Sequence, residues 1–82
     1  MTYYVYILQS KVTGKYYVGQ TKNLAQRLKE HNSGRTKSTK HGIPWEHKYI
    51  KEFSTRKEAV NYEKKIKKMK SSKYIETLIA AR

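Results

Sequence analysis

Residues 3–20 read YYVYILQSKVTGKYYVGQ, and this stretch decides the fold. Two runs of aromatic and β-branched residues, Tyr3–Ser10 and Lys15–Gln20, flank Thr13-Gly14, a pair with turn chemistry. The chain therefore opens on an antiparallel hairpin. Side chains alternate along a strand, so Tyr4, Tyr6 and Leu8 share one face. If the connecting loop holds an even number of residues, directly paired positions have an odd sum and Tyr17 joins that face. Two tyrosines from neighbouring strands would then meet.

Downstream, Asn23 is a good N-cap with Gln26 placed to bond back to it. Leu24, Ala25 and Leu28 form the apolar stripe of a first helix, expected to end near Asn32-Ser33-Gly34. Arg27 and His31 stand one turn apart and share a face at the edge of that stripe. Residues 32–44 (NSGRTKSTKHGIP) form a long loop of turn formers carrying Arg35, Lys37, Lys40 and His41. Structureless loops of this length in small domains are usually functional or disordered. Trp45–Phe53 reads as a third strand with Trp45, Tyr49 and Phe53 along one face. Thr55 and Glu58 make a capping box, after which Ala59, Tyr62, Ile66 and Met69 recur at helical spacing. Ser71-Ser72 breaks this second helix, and Lys73–Ala80 forms a third. The order is β-β-α-β-α-α. Residues 1–82 are expected to be a single α+β domain, a small three-stranded, mostly antiparallel sheet flanked by three helices.

A chain of 82 residues buries only about 60–65% of its unfolded surface, so its core is thin. It has no cysteine, which excludes disulfides, iron–sulfur clusters and thiol catalysis. No stretch resembles a signal peptide or approaches the length of a membrane span, so a cytoplasmic location is expected. Nineteen Lys and Arg against six acids give a net charge of +13, spread from Lys11 to Arg82. Such a field favours polyanions, and nucleic acid above all. An anionic membrane surface is the weaker alternative, because the apolar face of the basic second helix is narrow and needed for the core. No obligate protein partner is evident. All six acids are glutamates (Glu30, Glu46, Glu52, Glu58, Glu63 and Glu76), and aspartate is absent. Two-metal nucleases hold their ions with clustered carboxylates, so a site of that kind is not expected here.

Taken singly, the chemistry-bearing residues have ordinary readings. Glu63 lies beside the apolar stripe of the second helix, and its spacing suits an ion pair with Lys67. Tyr6 and Tyr17 suit cross-strand packing, and Arg27 and His31 suit a solvated helix face. Together they resemble a known pattern. Tyr4-Val5-Tyr6 and, eleven residues after Tyr6, Tyr17-Val18-Gly19 resemble the paired motifs of the GIY-YIG nucleases. The likeness continues through Gln20-Thr21, Asn23-Leu24, Arg27-Leu28 and His31, and then Glu63 on its helix. It spans roughly residues 3 to 79 and is most similar to the small stand-alone bacterial members. Tyr4 stands where the family name has glycine. Many members also carry a polar residue, often Asn, after the glutamate helix; here Lys67, Lys70 or Lys73 would have to serve.

The resemblance implies a metal-dependent endonuclease acting on DNA with little sequence specificity. Glu63 would be the sole protein ligand of one divalent cation, Mg²⁺ or Mn²⁺. Tyr6 or Tyr17 would act as general base or as a relay to the attacking water. Arg27, with His31, would lower the phenol pKa and grip the phosphoryl oxygens. Gly19 would allow close backbone approach, and Arg35, Lys37, Lys40 and Lys67 would hold the nucleic-acid backbone. The alternative is a non-catalytic basic nucleic-acid-binding module on the same fold.

Overall fold

The computed structural model describes residues 1–81. Strands β1 (Tyr3–Ser10), β2 (Tyr16–Thr21) and β3 (Trp45–Phe53) form one antiparallel sheet in the order β2-β1-β3. Helices α1 (Leu24–Asn32), α2 (Arg56–Met69) and α3 (Ser72–Ala81) complete the expected order, with a short 3₁₀ turn at Lys40–Gly42. Pairing of Tyr6 with Gly19 and Leu8 with Tyr17 gives odd register sums, so Tyr6 and Tyr17 share a face. Gly14, at φ 76°, supplies the left-handed residue that the hairpin loop needs.

The central strand is buried on both sides. Val5, Tyr6, Ile7 and Leu8 are each 1% exposed or less. Val5 and Ile7 join Val18, Tyr49, Ala59, Ile66 and Ile75 in a core between the sheet and α2–α3. Tyr6 and Leu8 join Trp45, with Leu24, Leu28, Tyr17 and Ile43 packed around them, on the α1 side. Each of the fully buried aliphatic side chains Val5, Ile7 and Leu8 contributes about 1.5–3 kcal/mol of burial energy, which makes β1 the centre of both cores.

Three expectations about facing change. Trp45 lies on the opposite face from Tyr49 and Phe53. A bulge places Tyr49 opposite Ile7 but His47 opposite Leu8, so Lys48 is the extra residue and the alternation flips there. Ala25 is exposed rather than part of the α1 stripe, and Met69 is 51% exposed at the last position of α2. Lys70 then turns left-handed (φ 48°), and the Ser71 hydroxyl accepts the Tyr74 N–H to open α3.

The loop between α1 and β3 is not structureless. Asn32 brackets Trp45, donating to its carbonyl (3.1 Å) and accepting its N–H (2.7 Å). The Trp45 indole donates to the Thr39 carbonyl at 2.7 Å, and the Ser10 hydroxyl donates to the Gly42 carbonyl at 2.6 Å. A Cβ on Gly42 would run into the Trp45 ring, so only glycine fits at that crossing.

Candidate active site

β1 delivers the Tyr6 phenol into the α1 side of the sheet, where it is 1% exposed. Gly19, directly across on β2, is itself buried. A Cβ there would stand 2.5 Å from the Tyr6 oxygen, so the missing side chain makes room for the phenol rather than for an outside backbone. The Tyr6 oxygen accepts from Arg27 Nε at 3.3 Å and lies 2.9 Å from His31 Nε2. Arg27 also donates from Nη1 to Glu30 at 2.9 Å.

His31 is fully buried, not at the edge of a solvated face. Its Nδ1 lies 2.9 Å from the Thr39 hydroxyl. Burial, helped by the nearby Arg27 charge, lowers its pKa to about 4. At neutral pH the ring is uncharged and has no open path to a phosphate. Burial also pushes the Tyr6 phenol up to about 12, outweighing the opposing hydrogen bond from Arg27. The Glu63 charge acts in the same direction as burial. Arg27 is shifted further upward by its bond to Tyr6 and stays charged.

Tyr17 differs. Its ring is half-buried, 6.4 Å from the Tyr6 ring and 4.8 Å from the His31 ring between centroids. It lines two open hollows along the β2 edge. One of about 440 Å³ is shared with Ile66, Lys67 and Lys70, and one of about 320 Å³ with Lys15, Ser38, His41 and Trp45. On α2, Glu63 Oε2 pairs with Lys67 Nζ at 2.6 Å, and that ammonium stands 5.9 Å from the Tyr17 ring centre. Of the lysines that could replace the missing Asn, Lys67 touches the glutamate and Lys70 lines the hollow beside it; Lys73 is exposed. Arg35, Lys37 and Lys40 are exposed on the loop.

Among the described residues no three His, Cys, Asp or Glu side chains gather as a metal cluster. Glu63, a hard oxygen donor now paired with Lys67, would hold a divalent cation whose remaining ligands would come from water and substrate phosphate, with Lys67 as its competitor. Thr39 and His47 are members of the site that the sequence does not reveal. The His47 ring stands edge-on to Tyr6 at 6.1 Å, and burial lowers its pKa. Its Nδ1 is buried without a partner. Only the bulge at Lys48 turns His47 to this face, and nothing in the strand alternation signals it.

Residues 2–75 match the family model of the GIY-YIG catalytic domain. A UPF0213 protein of Bacillus licheniformis is 37% identical over 79 residues, covering 92% of this chain and 80% of the relative. The UPF0213 protein YazA of Bacillus subtilis is 36% identical over 78 residues, covering 90% and 78%. The solution NMR structure of a UPF0213 protein from Bacillus halodurans matches at a TM-score of 0.64 and 32% identity, over 100% of this chain and 86% of that one. The motif order, the three-stranded sheet and the tyrosine–arginine–glutamate constellation thus have one common explanation: this chain belongs to the GIY-YIG family of nuclease domains.

Proposed function

We propose that this chain is an endonuclease that hydrolyses phosphodiester bonds in DNA, single- or double-stranded, with little sequence specificity and with Mg²⁺ or Mn²⁺ as its metal. The observation that carries this reading is Lys67, which pairs with the Glu63 carboxylate and stands 5.9 Å from the Tyr17 ring centre, so that one lysine links a carboxylate to a half-buried phenol at an open hollow lined by Lys67 and Tyr17. Mere binding of a polyanion gains nothing from a carboxylate there.

Glu63 would hold the divalent ion. Bound there, such an ion neutralises charge on the phosphoryl oxygens and acidifies water. Tyr17 relays the proton of the attacking water, its hydroxyl oxygen accepting that proton as its own O–H proton passes to solvent, since Tyr6 is enclosed and keeps its own proton to about pH 12. Once Glu63 holds the ion, Lys67 is released from its ion pair and stays beside the Tyr17 ring, where its ammonium grips substrate phosphate. A guanidinium has five N–H groups, and Arg27 commits one to Tyr6 and one to Glu30. The remaining donors serve the phosphate as charge develops. His31 acts through Tyr6, bracing it from behind. Arg35, Lys37 and Lys40 contact phosphates and read no bases.

The test is incubation of end-labelled single- and double-stranded DNA with the purified chain, with Mg²⁺, with Mn²⁺ and with chelator. Internal cleavage that needs a divalent ion is expected. Tight binding with no cleavage under either metal would leave the non-catalytic module as the reading.

A further inference from the structure

Thr39 has no part in the motifs, yet it is 1% exposed and touches His31 from behind. We propose that Thr39 is a positioning residue: its hydroxyl fixes His31 as the Nδ1–H tautomer, so that Tyr6 must donate its proton to His31 Nε2 and offer a lone pair to Arg27.

The donor-only guanidinium at one end of the chain of contacts, with the enclosed phenol beside it, sets the direction of the bonds, and the acceptor-only carbonyl at the other end is compatible with that direction. The Thr36 carbonyl can only accept, and the Thr39 hydroxyl donates to it at 3.3 Å. The Thr39 oxygen is then the acceptor for His31 Nδ1–H at 2.9 Å. A neutral ring protonated on Nδ1 has a bare Nε2, and the hydrogen in that 2.9 Å contact comes from Tyr6. At the other end a guanidinium can only donate, so the Tyr6 oxygen accepts from Arg27 Nε. The reverse tautomer would turn the Thr39 hydroxyl toward Nδ1 and have Nε2–H donate to Tyr6. The phenol hydrogen would then have no partner inside a site where Tyr6 is 1% exposed. Buried polar groups are rarely left so.

Thr39 is itself held firmly. Its N–H donates to the Thr36 carbonyl at 3.0 Å, and its own carbonyl takes the Trp45 indole hydrogen at 2.7 Å. The loop that carries Arg35, Lys37 and Lys40 therefore sets the orientation of Tyr6 through one threonine and one histidine. The consequence for cleavage rests on the nuclease reading above: a Tyr6 committed as donor to His31 leaves Tyr17 as the phenol free to take a proton while releasing its own.

The experiment is long-range ¹H–¹⁵N NMR of the ¹⁵N-histidine-labelled chain at neutral pH, with the His31 ring assigned by its loss in His31→Gln. Nδ1 should be the protonated nitrogen in the parent chain. Thr39→Val, which keeps the shape and removes the hydroxyl, should shift His31 to mixed or Nε2–H tautomers, and Thr39→Ser should restore the parent pattern. Cleavage at saturating metal should fall about tenfold in Thr39→Val and recover in Thr39→Ser, the effect of one hydrogen bond. A parent His31 protonated on Nε2 overturns the proposal, as does a Thr39→Val spectrum unchanged from the parent or a tautomer change without loss of rate. Should Thr39→Val fail to fold, the parent spectrum and Thr39→Ser still decide it. A parent that cuts nothing overturns the nuclease reading alone, because the tautomer is read without cleavage.

Discussion

Lys67 Nζ closes an ion pair of 2.6 Å on Glu63 one helical turn earlier, and the same ammonium stands 5.9 Å from the centre of the Tyr17 ring. The lysine thus occupies the carboxylate proposed to hold the divalent ion. Removing it removes the competitor. Lys67→Met should tighten Mn²⁺ binding about two- to fivefold, the value of a partly exposed ion pair, while slowing cleavage. Calorimetric titration checks the first part, and unchanged or weaker metal binding in the variant would contradict it.

The two tyrosines should behave differently. Tyr17→Phe removes the proposed proton acceptor and should lower the cleavage rate by about 10²–10⁴ with folding unaffected. Tyr6→Phe leaves His31 Nε2 and Arg27 Nε without their shared partner. It should cost about 1–3 kcal/mol of stability yet retain measurable cleavage. Single-turnover rates beside urea unfolding curves separate the two effects. The reverse ranking of rates would make Tyr6 the base.

Acid should destabilise the fold through His31. Its folded pKa of about 4 lies below the ordinary 6.5, so the unfolded chain takes up a proton that the folded chain refuses. The stability concerned is fully present above pH 6.5 and is lost as the pH falls toward 4, by no more than about 3 kcal/mol. His47, also lowered by burial, adds in the same direction. Urea midpoints across this range should fall steadily; a flat profile would mean that His31 titrates normally in the fold.

The hairpin and the element order were legible in the sequence, because strand alternation and capping residues are local signals; the shared face of Tyr6 and Tyr17 was legible only up to the parity of the hairpin loop, which the register settles. What was not legible depends on tertiary placement. The extra residue at Lys48 reverses the facing of Trp45 and brings His47 to the site, and a bulge has no sequence signature here. The depth of His31 comes from the loop folding over it, with Thr39 and Trp45 joined by an indole-to-carbonyl bond across that loop. Glu63 and Arg27 were legible only as parts of a motif, since each alone fits a surface ion pair as well.

Backbone phosphate contacts should dominate affinity. The exposed Arg35, Lys37 and Lys40 lie on the loop, and log K for DNA should fall linearly with log salt. Replacing all three by Ala should shallow that slope by about 0.7–0.9 for each phosphate no longer neutralised, with little effect on sequence preference. An unchanged slope would show that the loop stays off the phosphates.

In the proposed reaction cleavage depends on the Glu63 carboxylate, and Glu63→Gln isolates that dependence because the amide keeps the shape and loses the charge. Its single-turnover rate on labelled DNA at saturating Mn²⁺ should drop to background, while DNA affinity holds or rises with the loss of one negative charge. A Glu63→Gln rate equal to that of the parent chain would contradict the assignment.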